Sequence, residues 1–590
     1  MTVVDSGRTA ALVDGLTRSR TAAMTAVGAF VVFLGALHVW WLVRFRQGFP
    51  VDIDEAGYLW FAFQLHDALQ AEGPVGLVRA FQGEAWVAPL LPGLTALVGV
   101  AGGARQIVPS MAIQLVFFAL LVLASYGLGR ELSGRPAGIL TAGVVATVPA
   151  VTDFSRTYHL VIPAAATYTF AAYALVASDR LRDRRWALVW GGALGLTVLS
   201  RTMMVAFVPA LLAAAAWMLI VDRAGRRRVA NLGLAMLAFA AVSLVWYAKS
   251  WRAVLDYLVS AGYGNESAGY GPGLSPASTE YWAHELLGAM NGSLYLPLTA
   301  LLLLAFVLAA VAALRDGFRS EQPGVVAHWA RRAAHSNAVV PAFVVVEGYL
   351  ALTSSRNDGT GFVVPLLPCL IVLAVVAAFA LPWRWVRVAL VGTLSVVAAF
   401  NVVMKADVVA VASRVRIVEL PVVGRATVAN GQGYLHRHLV SAAGYRLDSP
   451  TSWLPEGEKR WLGLYQDVAA FVDRVESENV RVRFAVVEPL LNTSAVRLSA
   501  YRAGYAETDL GYVDTRGEDT VAAYRRFLRD QRPDVLFTTT REGPQFTPMT
   551  QRFVEAAAAS LDFRAVARFP IPDGRTLRAW ICCGGDEPAP

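Results

Sequence analysis

Charge is scarce in this chain. Only 16% of its 590 residues are Asp, Glu, Lys or Arg, against roughly 25% in an ordinary soluble domain. With 56% hydrophobic residues, that scarcity excludes a disordered chain, a fibrous protein and a purely soluble enzyme. Cysteine is nearly absent. Cys582 and Cys583 are adjacent and Cys369 lies in an apolar run, so the three define no disulfide framework. Lysine is as rare, at Lys249, Lys405 and Lys459, and arginine carries the basic charge. The net charge of +8 follows from Arg-rich loops between apolar runs, as membrane proteins place them, and calls for no nucleic-acid partner.

What the chain has instead is length of apolar sequence. Runs at about 22–43, 107–128, 137–152, 159–178, 186–200, 203–221, 229–248, 293–314, 337–353, 362–381 and 386–404 approach the roughly 20 residues that cross a bilayer as helix. The loops between them alternate. Arg130 and Arg135, then Arg180 to Arg185, Arg223 to Arg228, Arg315 to Arg332, and Arg384 with Arg387 mark one side, which the positive-inside rule makes cytoplasmic. The loops near 153–158, 249–292 and 354–361 are poorer in Arg and fall outside. Residues 86–103 look like a span by hydropathy, yet a crossing there would invert every later loop. The run is short and carries two prolines and four glycines, so it is expected to lie in or dip into the outer leaflet. The expected fold is a polytopic α-helical membrane protein of about 11 transmembrane helices with outer juxtamembrane helices. Residues 1–21 form a cytoplasmic tail, 22–404 the membrane domain, with outer loops at about 44–106 and 249–292, and 405–590 an extracytoplasmic domain.

That last segment alternates strand-like and helix-like periodicity. Strands are expected at Arg483–Glu488, Asp534–Thr540, Phe563–Ile571 and Leu577–Cys583, with helices near 463–479, 518–531 and 548–560. Such alternation predicts a small soluble α/β domain. The segment contains no GxGxxG or GxxxxGK(S/T) signature, so it is assigned no nucleotide site.

The most informative stretch is Pro50-Val-Asp-Ile-Asp-Glu-Ala-Gly-Tyr-Leu-Trp-Phe, just outside the first span. Asp52, Asp54 and Glu55 crowd three carboxylates at a membrane edge, where acids need partners or a task. Neighbouring like charges raise at least one pKa, which suits a general base. The same acids also suit a helix cap and first turn. No HExxH-type spacing supports a dedicated metal site, although a divalent ion bridging Asp52 or Asp54 to a phosphate is compatible with the acids.

In its first outer loop, Asp54-Glu55-Ala-Gly-Tyr58 resembles the acidic motif of the GT-C class of membrane glycosyltransferases. Protein O-mannosyltransferases and lipid A aminoarabinose transferases belong to that class. Trp86-Val-Ala-Pro-Leu-Leu-Pro, Gly134-Arg-Pro-Ala-Gly, Pro149 with Ser155-Arg156, the Gly-rich Gly191 to Arg201, Ser355-Arg356, Phe362 to Pro368 and Phe569 to Arg575 are similar to later segments of the class. The likeness runs over essentially the whole chain. An Asp-x-Pro usual in the class is Leu160-Val-Ile-Pro163 here, and either Asp153 replaces its acid or that acid is missing. Arg201 stands where the class has Lys, and Phe362 where it has Tyr.

The resemblance implies an inverting transfer from a polyprenyl-phosphate sugar, on the outer face of a bacterial inner membrane, to a glycan, lipid or protein acceptor. Asp54 is the expected base, with Glu55 and Asp52 orienting it or the acceptor. Arg201 is the first candidate for the leaving phosphate, since guanidinium binds it in a fork. Arg356 and Arg156 come second, and Tyr58, Asp153 and His159 complete the candidate substrate contacts. A lipid-linked glycan transporter would need mid-span charges and related halves, whereas the notable charges gather on one side. A polysaccharide ligase or polymerase remains the nearer alternative. The topology has a direct check: cysteines introduced at Ala104 and Asn265 should both be labelled by an impermeant reagent from outside, and labelling of position 104 only from the cytoplasm would overturn it.

Overall fold

The computed structural model describes residues 19–46, 50–82, 87–102, 105–264, 278, 289–319, 333–355, 357, 361–406, 416–420, 424–431, 456–475, 480–505, 508–515, 517–543, 545 and 549–582. Two compact units interleave along the chain. The first is residues 1–40, 74–94 and 111–434; the second is 41–73, 95–110 and 435–590.

The first unit is helical. It holds most of α1 (Arg20–Phe45), then α5 (Gln114–Ser133), α6 (Arg135–Ala146), α7 (Pro149–Phe154), α8 (Val161–Ala177) and α9 (Arg184–Ser200). There follow α10 (Val208–Val221), α11 (Arg226–Tyr263), α12 (Ala289–Arg319), α13 (Val339–Ser354), α14 (Leu367–Ala380) and α15 (Arg384–Ala406). Every one of the expected apolar runs coincides with helix. Among the described residues, six helices are long and apolar enough to cross a membrane; the remaining runs form shorter helices. The run at 86–103 yields α3 (Leu90–Gly102), 13 residues, one of the shorter apolar helices.

Close helix packing explains the Gly-rich segment of α9. A Cβ at Gly191 would stand 2.0 Å from the Ala235 carbonyl oxygen of α11, and one at Gly195 would stand 2.7 Å from Val242. The glycines therefore let two backbones approach, as small residues do in membrane bundles. Behind them Trp190, Tyr168, Phe207 and Leu211 fill one buried core, in which the Tyr168 hydroxyl donates to the Phe207 carbonyl at 2.8 Å.

At the Arg-rich side, Asp222 follows the C-terminus of α10, where a carboxylate opposes the helix dipole. Basic side chains surround it: Arg180 donates twice, at 2.7 and 3.0 Å, Arg228 once at 3.0 Å, and the His335 ring lies at 3.1 Å. Burial acts to raise the Asp222 pKa, but these donors prevail and hold it down to about 2. Arg180 also donates to the His335 carbonyl and accepts from Arg228 through its own, so the cluster ties four segments.

The second unit contains the start of α2 (Ile53–Phe81), α4 (Ile107–Ala112) and the C-terminal domain. Helix α2 breaks at Gly73, whose φ of 66° only glycine adopts readily, with Pro74 next. In the C-terminal domain, α16 (Glu456–Asp473), β3 (Arg481–Phe484), α17 (Thr493–Ala503), β4 (Asp509–Tyr512), α18 (Val521–Gln531), β5 (Val535–Thr539), α19 (Gln551–Ala559), β6 (Arg564–Pro570) and β7 (Thr576–Ile581) follow in order. The sheet order is β4-β3-β5-β7-β6. β3 runs parallel to β4 and β5, and β7 antiparallel to β5 and β6. Every residue of central β5 is buried, and Phe484 stacks on Phe537 at 4.6 Å. The four expected strands and three expected helices are present. A fifth strand, β4, the helix α17, and a hairpin of β1 (Arg416–Leu420) with β2 (Gly424–Ala429) in the first unit were not anticipated.

The Asp222 cluster carries a signed prediction. Its native pKa lies below the unfolded value, so its stabilisation is full above about pH 4 and is lost as pH falls through about 2. Thermal melts of purified protein should weaken over that window in wild type more than in Asp222→Asn, which should already melt lower at neutral pH. Parallel acid profiles would remove the cluster as a stabiliser.

Candidate active site

The sequence-predicted site residues fall into two sets, one in each unit. In the second unit, Asp52 precedes α2 and its carboxylate accepts from the Glu55 amide at 2.8 Å, while Glu55 Oε2 accepts from the Asp52 amide at 3.3 Å. This is a capping box, with each acid satisfying an amide at the other's end of the first turn. Glu55 does more. Fully buried, it takes the Arg46 guanidinium on both oxygens, at 2.9 and 2.7 Å. Asp52 and Glu55 are therefore committed to building the start of α2. Asp54, between them, is the exposed acid of the three, and Tyr58 lies one helical turn beyond it.

In the first unit, Asp153, Arg156 and His159 are all buried. The Asp153 carboxylate accepts from Lys405 Nζ at 2.8 and 2.9 Å. Lys405 also donates to the Tyr295 hydroxyl at 2.9 Å, and Tyr295 donates in turn to the Asn430 carbonyl at 3.2 Å. Tyr295 reaches this place through a left-handed backbone, φ 60°, a strained conformation for a bulky residue. Arg156 donates to His38 Nδ1 at 3.0 Å and to the Lys405 carbonyl at 2.7 Å. A cavity of about 10 Å³ adjoins His38, Thr152, Arg156 and Lys405, the space of a single water. Ends of α1, α7, α12 and α15 thus converge on one buried charge network.

His159 is tied by its backbone, whose carbonyl accepts from Gln114 at 2.5 Å, and its ring meets Phe154 edge-on at 5.8 Å. Arg201 interrupts the chain between α9 and the 3-10 turn Thr202–Phe207 in extended conformation. Its guanidinium lies 4.4 Å from the centre of the Phe362 ring, an arginine–aromatic stack. Gly361, at φ +77°, brings that ring's segment against Phe154 and Val161, where a Cβ would stand 2.8 Å from each. Arg356 lies outside the described residues, as does Trp86. Sequence reasoning missed Arg46, His38, Tyr295 and Lys405. Only Lys405 carried a signal, as one of three lysines in an Arg-rich chain. It also missed Glu347, an acid midway along α13 that departs from the one-sided placement of charge.

Against known proteins, the family model "Dolichyl-phosphate-mannose-protein mannosyltransferase" matches residues 87–247. No curated protein matches the chain. Among solved structures, ArnT from Cupriavidus metallidurans bound to undecaprenyl phosphate superposes with TM-score 0.54 at 13% identity, over 95% of this chain and 98% of that one. The apo state of the same protein gives TM-score 0.52 at 15% identity, over 94% and 98%. The chain has the fold of the GT-C membrane glycosyltransferases, as its motifs suggested, and is a multi-pass membrane protein.

The Asp153–Lys405 pair is testable without an assay of activity. Lys405→Met strands a buried carboxylate and should cost about 3–5 kcal/mol of stability, and adding Asp153→Asn should restore most of it. Thermal unfolding of the two variants decides this; a Lys405→Met protein as stable as wild type would deny the pair any part in the fold.

Proposed function

We propose that the protein is an inverting glycosyltransferase that moves a sugar from a polyprenyl-phosphate carrier to a cell-envelope acceptor on the outer face of the bacterial inner membrane. One observation supports the assignment of the base. Of the three acids that open α2, two are taken up in the cap and the Arg46 pair, and Asp54 alone is exposed. Asp54 takes the acceptor proton as the acceptor oxygen attacks the anomeric carbon from the face opposite the phosphate. The carbon–phosphate oxygen bond breaks, and its electron pair leaves with the polyprenyl phosphate. Asp52 and Glu55 fix the helix start from which Asp54 projects, with Tyr58 as a substrate contact one turn on. Arg201, 4.4 Å from the centre of the Phe362 ring, pairs the leaving phosphate. Arg156 and Asp153 shape the substrate-binding part of the first unit through Lys405, and His159 and Arg356 are further substrate contacts. The comparisons support the class; the sugar, the acceptor, the base and the outer-face location belong to this proposal.

The test is transfer of radiolabelled sugar from a panel of polyprenyl-phosphate donors by purified protein. Asp54→Asn should lower transfer by about 10²–10⁴-fold, the usual worth of a positioned base, with the melting temperature kept. Transfer that survives the substitution would move the base to another acid. Folded wild-type protein that neither transfers nor hydrolyses any donor would end the glycosyltransferase proposal.

A further inference from the structure

The helix bearing Asp54 is held at a second place, far along its length and by the C-terminal domain. Trp60 and Asp67 are seven residues apart on α2, two turns on one face. Arg497 of α17 lays its guanidinium 4.7 Å from the centre of the Trp60 ring while donating to the Leu510 carbonyl at 2.7 Å. One turn later on α17, the Tyr501 hydroxyl donates to the Asp67 carboxylate. Arg105 closes the set. It donates to Asp67 at 2.7 Å and to the Tyr501 carbonyl at 3.0 Å, and lies 4.6 Å from the centre of the Tyr501 ring. Its own carbonyl accepts from Arg502 at 3.2 Å. Arg105 does this from a left-handed backbone, φ 71°, a conformation that surrounding contacts must impose. On the same helix, buried His66 approaches the Ala96 carbonyl through Nδ1 at 3.1 Å.

Two anchors therefore bracket Asp54. Arg46 fixes the first turn through Glu55, and α17 fixes the helix from Trp60 to Asp67. A helix advances about 1.5 Å and turns about 100° per residue, so a rotation allowed at Asp67 reappears as a displaced carboxylate at Asp54. Consistent with this, residues 41–73 group into one compact unit with residues 435–590.

We propose that Arg497 and Tyr501 of the C-terminal domain are positioning residues that set the orientation of Asp54 through α2. The domain's part in the reaction is then mechanical, and neither residue touches substrate. This inference rests on the glycosyl-transfer proposal above, and the experiment separates the two. Full-length Tyr501→Phe, Asp67→Asn and their double variant are compared with wild type in donor-transfer kinetics and in hydrogen exchange over residues 53–66. Each single variant should lower kcat about 3- to 10-fold, on the scale of one hydrogen bond to a charged group, with the KM for donor unchanged. The double should be no worse than the poorer single, because the Tyr501 contact is already among those that Asp67→Asn disturbs. Exchange over residues 53–66 should quicken several-fold in all three, and that of α8 and α9 should stay as in wild type.

Unchanged kcat, or a raised KM with kcat kept, would overturn the positioning role. Exchange equal to wild type would overturn the clamp itself. A wild type inactive with every donor would remove the glycosyl-transfer proposal and the role with it, while the exchange data would still decide whether α17 orders α2.

Discussion

A charge taken out of water must be met by an opposite charge or a full set of donors, because the desolvation of an unmatched ion costs several kcal/mol. This chain has little charge, and among the described residues several buried charges are met in pairs that join distant segments. Lys405 and Asp153 are 252 residues apart, and Arg575 and Glu488 are 87 apart. Arg46 and Glu55 close a shorter loop, between the end of the first span and the acid helix. In each case the pair sits where secondary structure ends and backbone geometry would otherwise be least determined. The lost solvation is offset only in the assembled arrangement, so each pair selects one arrangement of helix ends over its competitors.

The Arg575 pair shows how such a constraint can lie behind a sequence motif. Phe569 to Arg575 resembles a familiar ending of the GT-C class, and its position in the fold is a tight turn between β6 and β7. Asp573 accepts from the Arg575 amide, Gly574 takes φ +87°, and the guanidinium grips Glu488 on two oxygens at 2.5 and 2.6 Å. A Cβ at Gly543 would collide with that pair at about 2 Å, so the loop after β5 passes directly over it. The motif is a lock on the domain. Gly191 and Gly195 are likewise explained by the approach of α11. A resemblance between sequences thus gathers residues with separate causes, and only part of it is chemistry.

The legibility of the chain follows the same division. Periodicity is local, so the helices of the first unit and the long strands β5, β6 and β7 could be read from it. Strand β4 could not: Asp509-Leu-Gly-Tyr512 is four residues with one aliphatic side chain, and β3 beside it supplies the pairing that makes it a strand. Helix α17 has too little apolar periodicity to stand out, since its exposed face is polar and it meets α2 through Arg497 and Tyr501. The acids at 52–55 were visible as a cluster, yet their separate duties were not. Nothing near Glu55 in sequence says that Arg46 will fold back on it, and nothing near Asp153 points to Lys405.

The separation of those duties bears most directly on mechanism. Three carboxylates in four residues present a degenerate choice of base, and proximity alone would let any of them serve. The geometry gives Asp52 and Glu55 structural partners of their own. Asp52 is spent on an amide and Glu55 on an amide and a guanidinium, so protonating either would loosen the first turn of α2 that holds the cluster together. Asp54 is the exposed acid of the three. A base must change protonation state in each turnover while the scaffold around it stays fixed. In the proposed assignment, Asp52 and Glu55 hold the start of the helix from which the exposed Asp54 carboxylate projects.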